Sequence, residues 1–272
     1  MSTENPLAAH AARLLNDTAL SCERLQGGSL SDVLRLRLAS GKDVVVKSGP
    51  GPAQEGRMLH ALLDAGMNVP KPMIWDDDVV ILEDLGPAAP PTDRGWRALG
   101  ARLRALHGTT GRRYGWDEDF AFGAVRIDNR WTSDWARFWF EQRLMADCDV
   151  LPVDLARRLE TLEPRTCALV PAQPLPRLLH GDLWSGNVHF STDGMAYLLD
   201  PAAYFGDAEV DLAMLTLFGS PPPAFWAGYG DLDEGWPRRR ALYQLWPALV
   251  HLRLFGASYR GLVERLIAEV EA

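Results

Sequence analysis

The first 85 residues change from a helical to an alternating hydrophobic pattern. Apolar residues fall at helical spacing over residues 7–15, then alternate with polar ones over residues 33–38. A turn and a β-branched run at residues 43–47 follow, so the two runs predict a hairpin. The pattern next predicts one helix and two further strands, at residues 52–63, 73–75 and 79–82. This part of the chain therefore predicts a small, mostly antiparallel sheet with one inserted helix.

A proline-rich segment divides this region from a mostly helical one. Residues 86–93 hold three prolines and one glycine in eight positions, which is typical of a linker. Helical patterns follow, broken by a hairpin pattern at 188–199, over residues 96–107, 131–147, 151–162, 207–218 and 238–272. We therefore expect an α+β, two-lobed fold, with an N-terminal lobe at 1–85, a linker at 86–93 and a C-terminal helical lobe at 94–272. A cleft between two lobes is a usual place for a small ligand.

Charge and cysteine usage narrow the class of protein. The net charge of −8 and the pI near 5.3 argue against a nucleic-acid partner, which would normally require a basic face. The three cysteines are widely spaced and form no CxxC pair, which favours reduced thiols in a cytoplasmic protein. The sequence has no secretory pattern at its start and no apolar run of about 18 residues, so we expect no membrane partner. These features do not indicate an oligomeric state.

The sharpest chemical signal is the segment HGDLWSGN at residues 180–187. Asp182 is followed five residues later by Asn187, and Asp200 ends the next predicted hairpin. Phosphoryl transfer from ATP needs a carboxylate that orients the attacking hydroxyl, and oxygen ligands for Mg²⁺. A lone aspartate of this kind is usually a solvated turn residue, but the three residues together favour ATP- and Mg²⁺-dependent chemistry. Asp182 would be the catalytic base, and Asn187 and Asp200 the metal ligands.

This spacing resembles the catalytic loop and metal aspartate of protein kinases, with glycine in place of the loop arginine. The HGD form is similar to the aminoglycoside phosphotransferase and choline kinase superfamily. The segments LLHGDLWSGNV and LLDPAAYFGDAEVDLAML resemble the fructosamine/ketosamine kinase family more closely. Trp184 and the run at residues 200–204 distinguish that family, and the resemblance covers nearly the whole chain.

The resemblance implies that the N-terminal lobe binds the nucleotide. Lys47 would reach the α- and β-phosphates, and Glu55 in the inserted helix would hold it. Val45 shares the strand face of Lys47 and would line the adenine. The backbone of the glycine-containing turn and of the hinge would complete the nucleotide site through Gly27, Gly28, Ser29, Glu83 and Leu85.

Other signals are weaker. Asp211, which begins a predicted helix, would support the catalytic loop from behind, although an acidic first turn is common in helices. Trp184 would stack on the substrate. The aromatic residues at 131–140 are interpreted mainly as a core stripe of one helix. His180 and His189 have no partners at metal spacing and are interpreted as structural.

The acceptor is expected to be a small molecule. Only six residues separate Asp200 from Asp207, which leaves no room for the long segment that docks peptides in protein kinases. The resemblance implies a ketosamine, free or protein-linked, phosphorylated on the third hydroxyl of its sugar, with deglycation repair as the role. Two alternatives stay open, namely a kinase of another small alcohol or amino alcohol, and a non-catalytic nucleotide-binding relative.

Overall fold

The computed structural model describes residues 5–25, 31–146 and 148–272. In those ranges the helices are α1 Pro6–Leu14, α2 Pro52–Asp64, α3 Asp93–Leu106, α4 Trp135–Trp139, α5 Val153–Glu160, α6 Glu163–Leu169, α7 Glu209–Leu215, α8 Pro223–Tyr229, α9 Trp236–Phe255 and α10 Arg260–Glu271. The strands are β1 Ala19–Arg24, β2 Asp32–Leu38, β3 Asp43–Ser48, β4 Pro72–Trp75, β5 Val80–Glu83, β6 Phe120–Phe122, β7 Val125–Ile127, β8 Arg177–Leu179, β9 Val188–Phe190, β10 Ala196–Leu198 and β11 Tyr204–Gly206.

Five strands form the antiparallel sheet that the sequence predicted, in the order β1-β2-β3-β5-β4. The alternation on β3 buries Val44 and Val46 and turns Val45 and Lys47 to the other face. The edge strand β1 was not predicted, because most of its side chains stay at least partly exposed and its sequence carries no clear apolar alternation. It pairs with β2 through backbone hydrogen bonds, which any sequence can make.

The rest of the chain is mostly helical around one large apolar core. The helix α9 runs through the middle of this core, with most of its residues buried from Ala241 to Leu252. Two short antiparallel strand pairs, β8-β11 and β9-β10, carry the HGD segment and the residues after it. This arrangement confirms the two-lobed α+β fold class, while the domain boundaries at 86 and 94 stay a prediction.

The predicted helix over residues 131–147 is wrong in its extent. The side chain of Asp134 accepts a hydrogen bond from the backbone N–H of Arg137 and so caps a helix that begins only at Trp135. A π-helical turn then follows from Phe140 to Leu144. The core stripe is confirmed for Trp135, Phe138 and Trp139, which are fully buried, whereas Trp131 precedes the helix. The last predicted helix is likewise divided, because Gly256 at φ 82° separates α9 from α10.

Over the described ranges, no helix combines the length and apolar character that crossing a bilayer requires.

Helices α3 and α8 cross in close contact through a glycine on each helix. A Cβ atom on Gly100 would lie 2.2 Å from the carbonyl oxygen of Phe225, and one on Gly228 would lie 2.0 Å from that of Arg97. Both distances are far below van der Waals contact. The backbones can approach this closely only because neither glycine has a side chain.

We predict that Gly100→Ala lowers the free energy of unfolding by about 1–3 kcal/mol, because the added methyl forces α3 and α8 apart. Gly261 is the matched control, since it is also helical but a Cβ there meets open space. Gly261→Ala should be neutral or stabilising by up to about 1 kcal/mol, from helix propensity. Urea titration measures both values, and equal effects at the two positions would contradict the packing argument.

Candidate active site

A buried lysine joins three elements at the centre of the cleft. The ammonium nitrogen of Lys47 on β3 lies 2.7 Å from a carboxylate oxygen of Glu55 on α2. It lies the same 2.7 Å from Oδ1 of Asp200, which follows β10. Burial alone would lower the pKa of Lys47, but the two carboxylates outweigh that effect and raise the pKa above its ordinary value. The lysine is therefore a fixed positive charge.

The HGD segment forms a tight loop that orients its own aspartate. Nδ2 of Asn187 donates hydrogen bonds to the backbone oxygen of Asp182 at 2.8 Å and to its Oδ2 at 3.0 Å. Burial raises the pKa of the Asp182 carboxyl to about 7, although the hydrogen bond from Asn187 opposes this shift. A carboxyl with a pKa near neutrality suits a general base.

A second buried aspartate holds the loop from behind. Asp211 on α7 accepts hydrogen bonds from the backbone N–H groups of His180 at 2.8 Å and Gly181 at 2.9 Å. It also contacts Nε2 of His107 at 3.1 Å. Burial opposes its ionisation, but the hydrogen bond from His107 and the other contacts prevail and lower the pKa of Asp211. These contacts support the position that the sequence analysis gave to Asp211.

His180 connects the two ends of the site. Its Nε2 donates to the backbone oxygen of Leu199 at 2.9 Å, because a carbonyl can only accept. Its Nδ1 can therefore accept from the backbone N–H of Asp182, at 3.3 Å. Burial lowers the pKa of His180, which favours this neutral tautomer. The ring thus links the HGD loop to the residue that precedes Asp200, which agrees with its structural interpretation.

Glycine replaces the protein-kinase arginine in this loop for a steric reason. Gly181 has φ 84°, and a Cβ there would lie 1.9 Å from the carbonyl oxygen of Ala202. The backbone segment after Asp200 therefore passes directly against the loop. Asp200 itself has φ 53°, which is uncommon for a residue other than glycine and marks a constrained position.

Two cavities meet at these charges. The smaller, of about 430 Å³, is lined by Val45, Leu82, Glu83 and Leu85. The larger, of about 610 Å³, contains Asp182 and a wall of aromatic rings. Five residues line both cavities and so mark their junction, and these are Lys47, Glu55, Trp184, Asn187 and Asp200.

The structure thus brings nearly all the predicted residues to one cleft. Val45, Glu83 and Leu85 lie in the smaller cavity, away from Asp182. Trp184 stands at the junction with 36% of its surface exposed, over Gly186, where an added Cβ would lie 2.3 Å from the indole. The predicted phosphate turn at Gly27, Gly28 and Ser29 lies outside the described residues.

The sequence analysis missed the aromatic lining of the larger cavity. Its rings come from distant segments and include Phe120, Phe122, Phe218, Trp246, His251 and Phe255. No spacing in the sequence connects the separate segments that carry these positions. The exposure of Phe218 and Phe255 becomes visible only in the fold. His189, interpreted as structural, lines the smaller cavity.

The donor groups at the junction fit a magnesium ion. Because Nδ2 of Asn187 is used by Asp182, the amide oxygen is left to act as a ligand. Asp200 binds Lys47 through Oδ1 alone, which leaves Oδ2. A neutral oxygen and a carboxylate oxygen are ligands that Mg²⁺ prefers, and phosphates and water commonly complete its shell.

Comparison with known proteins identifies the relatives of this chain. The family model described as fructosamine kinase matches residues 10–272. A protein of Synechocystis sp. named "probable ketoamine kinase" is 40% identical over 186 residues, which are 64% of this chain and 61% of that protein. A "probable ketoamine kinase" of Thermus thermophilus is 36% identical over 258 residues, covering 90% of this chain and 92% of that protein.

Solved structures agree on the fold. The crystal structure of a putative fructosamine-3-kinase from Thermobifida fusca has a TM-score of 0.83 at 31% identity, with 98% of each chain covered. A choline kinase from Streptococcus pneumoniae has a TM-score of 0.66 and covers 97% of this chain and 96% of that one. At 18% identity it shows the shared phosphotransferase fold alone.

The raised pKa of Asp182 predicts a pH-dependent effect of Asp182→Asn on stability. An unfolded aspartate titrates near pH ~4, whereas the folded one titrates at about 7. The folded protein keeps a proton that the unfolded chain releases, so stability falls as the pH rises between these values. Asparagine removes this penalty. We expect Asp182→Asn to raise the free energy of unfolding by on the order of 1–2 kcal/mol at pH 8, and by less at pH 5.

Urea titration at both pH values measures the effect. Asp77→Asn is the control, because Asp77 is exposed. A stabilisation that is the same at both pH values, or that the control reproduces, would refute the burial argument.

Proposed function

The chain belongs to the fructosamine kinase family, and we propose that it transfers the γ-phosphoryl group of ATP to the third sugar hydroxyl of a ketosamine. One observation carries the proposal. Asp182 faces only the larger cavity, while Lys47, Asn187 and Asp200 border both. A nucleotide in the smaller cavity would thus place its terminal phosphate at the junction, opposite a hydroxyl held by Asp182.

The residues of the smaller cavity and of the junction would bind the nucleotide. Lys47, held by Glu55, would bind the α- and β-phosphates. Val45 and the backbone of Glu83 and Leu85 would bind the adenine. Gly27, Gly28 and Ser29 stay proposed phosphate-loop residues on the strength of their position before β2.

Asp182 would accept a hydrogen bond from the substrate hydroxyl and take its proton. As the oxygen–phosphorus bond forms, the bond from the γ-phosphorus to the β-phosphate bridging oxygen breaks, and ADP leaves. Asn187 fixes the carboxylate in this orientation. Mg²⁺, held by Asn187 and Asp200, would neutralise phosphate charge when it is bound. Trp184 would contact the sugar at the junction.

Deglycation is the role that this reaction supports, for free or protein-linked ketosamines. A phosphate on the third carbon makes the sugar prone to elimination, which releases the amine.

The free thiols of Cys22, Cys148 and Cys167 agree with a reducing cytoplasmic location.

The proposed function predicts the outcome of a substrate panel. ATP consumption with Mg²⁺ is measured against ribulose-lysine, erythrulose-lysine, fructose-lysine, choline, homoserine and an aminoglycoside. Turnover of at least one ketosamine and of no other alcohol is the expected result. Turnover of choline, homoserine or the aminoglycoside alone would replace the ketosamine by another small alcohol. Nucleotide binding without any turnover would favour a non-catalytic relative.

On the accepted substrate, Asp182→Asn should lower kcat by about 10²–10⁴-fold or more, because the amide cannot take the proton. ATP affinity should change little, since Asp182 does not line the nucleotide cavity. The kcat/KM of the wild type should rise with pH as the carboxyl ionises around its pKa of about 7. Calorimetric binding of ATP is the control, and a variant that retains kcat would remove Asp182 from the role of base.

A further inference from the structure

Four aromatic residues form a continuous wall in the larger cavity. The ring of His251 lies 4.6 Å from Phe218, 5.4 Å from Phe255 and 5.1 Å from Tyr259, measured between ring centroids. We call these four residues the aromatic wall. Phe218 also meets the indole of Trp184 on the catalytic loop at 6.2 Å, so the wall adjoins the loop that carries Asp182.

The wall keeps an unusual amount of apolar surface open. Phe218 and Phe255 remain 39% and 45% exposed, although both rings sit in a packed cluster. Large aromatic faces exposed together in a cavity, rather than scattered over the surface, are typical of a ligand contact.

The imidazole of His251 is held in one tautomer. Its Nδ1 lies 2.8 Å from the backbone oxygen of Pro247, and that oxygen can only accept, so Nδ1 carries the proton. Nε2 then offers a lone pair, and the described part of the chain supplies no partner for it. Burial lowers the pKa of His251, which keeps the ring neutral near pH 7. The wall therefore presents an acceptor and aromatic faces but no positive charge.

The rest of the cavity offers no uncommitted positive charge among the described residues that line it. Among the described residues that line it, the carboxylates are Glu55, Asp182 and Asp200, and Lys47 is the single lysine or arginine. The Lys47 ammonium is already engaged by two of these carboxylates. A negative group on the carrier would thus find no free cation at the wall, whereas an ammonium would meet aromatic faces and the Nε2 acceptor.

We propose that the aromatic wall is the subsite for the amine carrier of the substrate. The rings of Phe218, Phe255 and Tyr259 contact the ammonium and its alkyl chain, and Nε2 of His251 accepts a hydrogen bond from the ammonium N–H. This inference rests on the proposed function, because the sugar must lie at Asp182 for its carrier to reach the wall.

The charge balance also sets a preference among carriers. A carrier with a carboxylate next to the amine, as in glycine, places a negative charge against neutral rings. An alkylamine, or a lysine linked through its ε-amine, keeps the segment beside the wall apolar and cationic. Ketosamines of alkylamines or of a lysine ε-amine should therefore be better substrates than ketosamines of glycine.

The kinetic test uses three ketosamines that share one sugar and differ in the carrier, namely n-pentylamine, methylamine and glycine. Wild-type kcat/KM should be highest for the pentylamine compound, by about 10-fold over the other two. Phe218→Leu and Phe255→Leu should each raise KM for it by roughly 3- to 10-fold, and should raise KM for the methylamine compound by less, because that compound has no alkyl chain to lose contact. KM for ATP should stay nearly unchanged. His251→Phe, which keeps a ring but loses the acceptor, should raise KM for all three amines.

Trp226→Leu is the matched control, because Trp226 is also a half-buried aromatic residue but lines neither cavity. It should change none of these ratios. Equal effects of the wall variants on pentylamine and methylamine carriers, or no effect at all, would overturn the subsite.

A binding measurement separates this inference from the proposed function. Calorimetric titration with n-pentylammonium, 1-pentanol and pentanoate needs no turnover. The subsite is supported if n-pentylammonium binds more tightly than 1-pentanol and pentanoate, and if this preference is lost in Phe255→Leu and kept in Trp226→Leu. This result would hold even if the panel shows no ketosamine turnover. If ketosamines are turned over but the ammonium binds no better than pentanol or pentanoate, the proposed function stands and the subsite fails.

Discussion

The active-site geometry depends on one buried ammonium. Lys47 carries its charge into the cleft from the sheet, and it is balanced by Glu55 on α2 and by Asp200 beyond β10. A buried ion pair of this kind adds little net stability, because desolvation offsets its attraction. It does specify position, since separating Lys47 from Glu55 would leave a buried charge unpaired at a cost of several kcal/mol (roughly 3–5), whereas the pair with the partly exposed Asp200 contributes less because solvent screens it. The site is thus assembled by a constraint on charge, at the point where the two cavities meet.

A second constraint acts through the backbone rather than through side-chain charge. Asp211 binds two successive N–H groups of the catalytic loop, and this requires the loop to turn sharply at Gly181. Because Gly181 has no side chain, the backbone at Ala202 can pass directly against this turn. His180 then joins the loop to the strand end before Asp200. The proposed base and metal ligands therefore keep their separation, because buried side chains fix the backbone that carries them.

The features of the fold and the site that depend on local patterns could be predicted from the sequence. The alternation on β3 and the five-residue interval from Asp182 to Asn187 are local, so their geometry follows from short-range rules. The burial of the aromatic stripe in the helical lobe was also predictable, as the fully buried Trp135 shows. The start of the helix α4 was not predictable, because the aromatic pattern extends back to Trp131, whereas the Asp134 cap makes the helix begin at Trp135. The strand β1 was missed because backbone pairing leaves no side-chain pattern at an exposed edge.

The lining of the larger cavity could not be predicted from such short-range rules, for a different reason. Its walls come from segments more than a hundred residues apart, and an aromatic residue at helical spacing has the same pattern whether it faces the core or a ligand. His251 and Phe255 lie four residues apart on α9, as core residues would, yet Phe255 is 45% exposed. The helix ends at Gly256, and this break turns Tyr259 back against His251. Because the charges are gathered at the junction by Lys47, the far wall can remain neutral and aromatic. Transfer chemistry and carrier recognition are then separate parts of one cleft, so the carrier preference can change on the wall without disturbing the residues that would move the phosphoryl group.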